Sequence, residues 1–359
     1  MEQKTDMVLS QPLSLSQTIT DAFRNRNEEM ALKLLAYPGI EIKNSLREAA
    51  EKGLFSVFEA LLNHPDANLS GADGNGITVL HAACSQLGNV GIVRKIIAAA
   101  VIDIDVQDES GRTPLFWSVR SRRADLVETL LSAGADVGIA ECSRGYNPFH
   151  VVASSRHPVD NCDVEITRLL CNHATQTRAS VSPLYAEGEF GTPMSDAVFT
   201  KFCGVPAFEK DELVQIFLDA GYDVNHKEKV DNGSLLHLSV DSGNVATTKF
   251  LLDNGADCNA TVDEGTPLHF AIWDFDDSRV FHEILLKFLE CGVNLDLRGM
   301  TPPDMMYDTA LNLALAYHKP NFAGLLVWYG SNSDSVRSGF PHIRAGMKSA
   351  TEFVIIIKL

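Results

Sequence analysis

The feature that most restricts how this chain can fold is a short phrase written seven times: GITVLHAAC at 76–84, GRTPLFWSV at 111–119, GYNPFHVVA at 145–153, GTPMSDAV at 191–198, GSLLHLSV at 233–240, GTPLHFAI at 265–272 and DTALNLAL at 308–315. Each copy sets a turn-prone Gly or Asp before a hydroxyl or amide side chain, namely Thr78, Thr113, Asn147, Thr192, Ser234, Thr266 or Thr309. An apolar residue stands two positions on, and small residues follow at helical spacing. Gly supplies the turn, Thr, Ser or Asn caps a helix start, and Pro suits the first helical position, where its missing N–H is harmless. Downstream lies a second apolar pair (Ile96-Ile97, Leu130-Leu131, Leu169-Leu170, Phe217-Leu218, Leu251-Leu252, Phe288-Leu289, Leu326-Val327), usually with a Gly stop as in SAGADVG at 132–138 and DNGADCN at 253–259. Gly there predicts a left-handed cap ending a second helix.

Read as a whole, this grammar resembles the ankyrin-repeat family, whose unit is a β-turn and two antiparallel helices in about 33 residues. The strongest matches are GRTPLFWS…LLSAGADV in 111–137 and GTPLHFA…LECGVNLD in 265–296, and two degenerate units at 19–35 and 46–69 precede the clear ones. The resemblance implies an all-α fold: an ankyrin-repeat solenoid of about eight to nine helix-turn-helix units with β-turn fingers. The expected organisation is an N-terminal extension at 1–16, the array at 17–333 with clear repeats from about 71, and a non-repeat tail at 334–359. A stack also accommodates 359 residues, more than one core usually serves, because each unit packs only on its neighbours. Spacings between successive cap residues are 35, 34, 45, 42, 32 and 43, which puts insertions, and hence surface loops, in particular repeats. The tail segment Phe353-Val354-Ile355-Ile356-Ile357 has strong β-propensity and no charge, and docking on the last repeat is its expected fate.

Motifs for catalysis are missing: no nucleophile elbow, P-loop, H-E-x-x-H helix or EF-hand loop can be read from the sequence. Gly74-Asn75-Gly76 opens like a dinucleotide loop, but Val79 stands where the third Gly belongs and the segment is a repeat turn. His81, His150, His237 and His269 recur three residues after the cap position. The resemblance makes them structural residues bonding turn backbone between repeats, with Phe116, Asp196 and Asn312 as departures from the pattern. Trp117 falls at a core position and is expected to pack. Cys162, Cys171 and His173 come nearest to a zinc spacing but lack a fourth ligand, and Asp274, Asp276 and Asp277 read as a solvated acidic loop. No cofactor and no metal are therefore expected.

Charge and cysteines bound the partners. Thirty basic residues against 47 acidic give a net charge of −17, which disfavours nucleic acid and anionic membranes as bulk partners. The longest apolar run, Ile96–Ile102, is far shorter than the ~20 residues a membrane helix needs. Seven scattered cysteines without a C-x-x-C, and no apolar secretory leader in the first residues, set a cytoplasmic or nuclear expectation. The expected function is non-catalytic protein recognition by a monomeric adaptor, scaffold or regulatory subunit, acting through the concave surface that the resemblance implies. Two alternatives stand beside it: a regulator masking a transcription factor or kinase, and an enzyme built on insertions at 154–165 or 199–212. Candidate contact residues are Arg112, Arg120, Arg144 and Tyr146 in one region, with Ser85 and Gln86 nearby, and Phe199, Trp273, Asp274 and Tyr317 in another. Aromatic and Arg side chains are the residue types that anchor protein interfaces.

Overall fold

A computed structural model describes residues 15–36, 45–64, 67–99, 102–154, 158–176, 182–189, 191–198, 211–228, 233–262, 265–301 and 306–332. Phe199, the tail at 334–359 and most of the insertion at 199–212 lie outside them. The chain divides into two compact units, Met1–Val151 and Val152–Leu359.

The first unit is a double layer of helices. Its pairs are α1 (Leu15–Arg24) with α2 (Glu28–Leu35), α3 (Ser45–Lys52) with α4 (Phe55–Leu62), α5 (Val79–Ala83) with α6 (Val90–Ala98), and α7 (Pro114–Arg120) with α8 (Ala124–Ser132). First helices pack on first helices in the order α1, α3, α5, α7, and second helices follow as α2, α4, α6, α8. Helix α9 (Pro148–Ala153) spans the division. The second unit begins with α10 (Asn161–Gln176) and a 3-10 turn at Ser182–Tyr185, then continues with α11 (Pro193–Val198), α12 (Asp211–Asp219), α13 (Leu235–Asp241), α14 (Val245–Asp253), α15 (Pro267–Asp274) and α16 (Ser278–Glu290). A hairpin of β1 (Arg298–Thr301) and β2 (Met306–Thr309) precedes the last pair, α17 (Ala310–Ala316) and α18 (Pro320–Trp328). Its register pairs Arg298 with Thr309 and Thr301 with Met306, so the described part of the 297–308 insertion is a paired extension of the finger. Layering repeats here: α11, α13, α15 and α17 stack in one row, α14, α16 and α18 in the other.

Short helices need their ends satisfied, and here the first helices start in buried ground. Thr78, Asn147, Ser234 and Thr266 are all buried. In the repeat of α5, the Thr78 hydroxyl lies 2.9 Å from Nδ1 of His81, and that nitrogen also accepts the Thr78 N–H at 3.2 Å. The other ring nitrogen donates to the carbonyl of Arg112 in the next repeat at 2.9 Å. His237 reaches the carbonyl of Gly265 and His269 that of Asp308 in the same way. A carbonyl partner on Nε2 and an N–H donor facing Nδ1 identify neutral imidazole protonated on Nε2. Burial pushes all three imidazoles below their ordinary value, His237 to about 4.

Besides Phe116, two repeats depart instructively from this relay. The residue three positions after Thr192 is Ser195, not the expected Asp196, and its N–H donates to the Thr192 hydroxyl. With no imidazole there, Glu228 of the following finger makes the link, accepting the Thr192 N–H at 3.1 Å and its hydroxyl at 2.8 Å. Tyr222 donates its hydroxyl to the same carboxylate at 3.2 Å, and burial raises the Glu228 pKa. At Asn312, the side-chain amide turns back to the Asp308 carboxylate within its own repeat.

Fingers are tied by backbone and carboxylates. Glu109 N donates to the Asn75 carbonyl at 2.9 Å and Cys142 N to that of Ser110 at 2.8 Å, joining successive fingers. Gly76 has φ +76, and an added Cβ would lie 2.9 Å from Glu109 N, so both conformation and space demand glycine. Asp108 accepts from the N–H groups of Ser110 and Arg112, each at 2.9 Å, as Asp73 does in the preceding finger for Asn75 and Ile77. Beyond the second helices of the second unit, Asn225 accepts from Asp257 N and donates to the Gly255 carbonyl, while Asn259 repeats both bonds with Asn294 N and the Gly292 carbonyl. The Gly residues closing these helices, including Gly134, Gly221, Gly255 and Gly292, have the positive φ that the sequence pattern predicts.

Two outcomes follow from these bonds. Asp108→Ala leaves two finger N–H groups without their acceptor and should lower unfolding stability by about 1–3 kcal/mol in urea denaturation. The unfolded chain takes up protons near pH 6.5 that folded His237 refuses until about pH 4, so its contribution to stability is lost as pH falls through that interval. The difference between the urea midpoints of wild type and His237→Ala should accordingly shrink from neutral pH toward pH 4, and a constant difference would contradict the neutral relay.

Candidate functional site

The face carried by the first helices and fingers presents side chains that the packing does not use. In the first unit it holds a groove of about 520 Å3 lined by Ser85, Gln86, Arg112, Trp117, Arg120, Ser121 and Arg122. Ser85, Gln86, Arg112 and Arg120, all singled out from the sequence, are thus brought together. Arg112 stands at the end of the finger just before the Thr113 cap, and Arg120 occupies the last position of α7. Arg120 is exposed and Arg112 half-buried. Among the described residues neither has an ion pair, whereas Arg123 next in line is fully engaged. Its guanidinium holds Asp125 through two bonds and donates to the carbonyls of Gln86 and Gly88, tying α8 to the preceding repeat.

Aromatic rings position the arginines. The Arg112 guanidinium lies 6.0 Å from the centroid of Phe116, the residue that replaces the repeat's histidine. Exchange of imidazole for phenyl therefore forgoes an inter-repeat hydrogen bond and supplies a surface under Arg112, an attraction of about 0.5–1 kcal/mol. One repeat on, Arg144 sits 5.9 Å from the ring of Tyr146, which in turn stacks on His150 at 4.9 Å. Arg144 is exposed, but Tyr146 is only 8% exposed. Its place on the contact wall is corrected to one beneath it, because stacking on a buried His draws the phenol inward.

Trp117 is corrected in the opposite direction. It is only partly buried and lines the groove, with its indole N–H donated to Asp108 at 3.1 Å and its ring edge-on to His81 at 5.9 Å. The same carboxylate that folds the finger thus fixes the indole. Nothing in the apolar pattern separates this Trp from a core residue, since the same position carries Val151, Leu238, Phe270 and Leu313 in other repeats.

In the second unit, Trp273 and Asp274 end α15 and Tyr317 caps α17, the helix packed beside it. Tyr317 is 42% exposed, whereas Trp273 and Asp274 are half-buried. Lys319 holds this corner by donating to the carbonyls of Ile272, Trp273 and Phe275 at 2.8, 3.3 and 2.7 Å, and its ammonium also pairs with Asp276. Trp273 meets Phe270 edge-on at 5.2 Å, and its indole N–H is buried without a hydrogen-bond partner among the described residues.

Metal and thiol chemistry find no built site among the described residues, where no group of three or more His, Cys, Asp or Glu side chains is arranged to hold an ion. Cys162 and Cys171 lie on the single helix α10, and burial pushes the Cys171 thiol up to about 12. No helix among the described residues is long and apolar enough to cross a membrane.

Comparison with known proteins agrees with this architecture. A family profile described as ankyrin repeats in three copies matches residues 46–141 and 205–298, more than half of the chain. The tyrosine-protein kinase Shark of Drosophila melanogaster is 30% identical over 112 residues, 31% of this chain and 12% of that protein. Rabankyrin-5 of Mus musculus is 26% identical over 153 residues, 41% of this chain and 12% of that protein, and inversin of Gallus gallus 43% identical over 65 residues, 18% and 6% respectively. The chain therefore spans about an eighth or less of the length of these relatives. The crystal structure of the ankyrin repeat domain of Bcl-3 matches in fold, with a TM-score of 0.56, 22% identity, and coverage of 70% of this chain and 99% of that one. On its capped helix pairs, its stacked fingers and this profile, the chain belongs to the ankyrin-repeat family.

Proposed function

We propose that this protein is a non-catalytic adaptor, scaffold or regulatory subunit that holds a partner protein on the first-helix and finger face. Ankyrin repeats are a protein–protein interaction module, and the fold is in general non-enzymatic. The observation that carries the reading is the groove of the first unit, where Arg112 and Arg120 stand without ion pairs among the described residues beside a fixed, half-exposed Trp117. Arg and Trp are the side chains most often responsible for interface energy, and rigid anchors reduce the entropy lost on binding. Arg144, supported by Tyr146, extends this wall. In the second unit Trp273, Asp274 and Tyr317 form the corresponding wall, to which the proposal adds Phe199. A cytoplasmic or nuclear location and a monomeric state belong to the same proposal, since a net charge of −17 opposes self-association.

Affinity purification with mass spectrometry tests it, comparing the full chain with Arg112→Glu/Arg120→Glu/Arg144→Glu and with Trp273→Ala/Tyr317→Ala. Captured proteins should fall at least about tenfold for one or both variants, the loss of one hot spot's worth of binding energy. An unchanged set of partners for both variants, each with the wild-type circular dichroism spectrum, would contradict the assignment of this face.

A further inference from the structure

We propose that the groove of the first unit receives an acidic linear segment of the partner protein, its carboxylates paired with Arg112 and Arg120 and an apolar side chain resting on Trp117. The inference deepens the interaction-module reading and rests on it. Charge supplies the first argument. Residues 112–123 contain four Arg and no Asp or Glu, in a chain whose net charge is −17. Arg123 is consumed by Asp125 and two carbonyls, so its charge is neutralised within the fold, whereas Arg112 and Arg120 bring theirs to the groove without an ion pair among the described residues, the Asp108 carboxylate beside Trp117 being occupied by the indole and two finger N–H groups. An anion from outside completes that arrangement.

Geometry supplies the second. The Nε of Arg112 is buried without a hydrogen-bond partner among the described residues, and the guanidinium is aligned over Phe116, which leaves the terminal nitrogens as its open edge. A carboxylate arriving from outside accepts from those two terminal nitrogens together, the bidentate pairing for which guanidinium is suited. Trp117, locked by Asp108 and His81, offers an apolar surface that requires no ordering when the segment arrives. The space of about 520 Å3 suits a few side chains of an extended peptide. A nucleic-acid strand would carry its charge past the groove onto an otherwise acidic surface.

Fluorescence anisotropy of a short fluorescein-labelled peptide alternating glutamate with leucine, titrated with the full chain, tests the pairing directly. Glutamine and phosphoserine versions serve as comparisons. The glutamate peptide should bind, with affinity reduced about tenfold or more by Arg112→Glu/Arg120→Glu and several-fold by the milder Arg120→Gln, should the double variant fail to fold. The glutamine peptide should bind at least about tenfold more weakly to wild type, and Arg94→Glu, the same charge change on α6, should alter the glutamate peptide less than about twofold. Equal binding of the glutamine peptide, or no effect of either arginine variant, overturns the proposal. Tighter binding of the phosphoserine peptide overturns it in favour of a phosphate site, and arginine-dependent self-association in sedimentation overturns it in favour of a second copy. Loss of captured proteins in the variants above without any glutamate-peptide binding leaves the module reading standing and removes only this partner chemistry.

Discussion

Buried helix starts are the constraint on which the rest of this structure depends. A first helix of five to eight residues has N–H groups at its N-terminus that no carbonyl of its own can satisfy, and stacking removes water from that end. The hydroxyl and imidazole of each Thr–His pair answer this within one repeat, and the second ring nitrogen spends the remaining proton on the neighbouring finger. One small polar set therefore caps a helix and sets the spacing of two repeats. Apolar contact between Leu80, Leu115 and their neighbours adds stability, but apolar contact alone is non-directional and would permit the layers to slide.

Substitutions within the relay show what it must preserve. At Thr192 the imidazole is replaced from the other side of the interface by Glu228, so the bond between repeats survives with the donor still on the earlier repeat and a carboxylate in place of the backbone carbonyl as acceptor. At Phe116 the side-chain link is given up, and the backbone contact from Cys142 to Ser110, the counterpart of the Glu109-to-Asn75 bond that accompanies the His81 link, still joins the fingers. That repeat is also the one with the groove. Relief from a structural duty and acquisition of a surface one coincide at a single side chain.

Local chemistry was readable from sequence because it acts over three or four residues. Thr, Ser or Asn followed by His at the third position, and Gly at the helix stop, report their partners within the phrase itself. At 191–198 the relay position, three residues after Thr192, is Ser195 and not Asp196. Partners contributed by another repeat, such as Glu228 for Thr192, or by the far side of the finger, such as Asp108 for Trp117, leave no periodic trace, since the pattern records only which face a residue occupies. For the same reason Trp117 looked like core and Tyr146 like surface: their depth is decided by Asp108 and His150, through an indole hydrogen bond and a ring stack.

Among the described residues, the Asn225 and Asn259 side chains each clasp the backbone of the repeat that follows and make no further hydrogen bond. Information about strain therefore passes along the second unit only from neighbour to neighbour, as in a line of coupled spins. A repeat could be added or removed at such a joint with one asparagine to re-form the clasp, and a disturbance at one end would fade over a few repeats. An array joined in this way can change its length or one of its surfaces over evolution while most of its joints stay as they were.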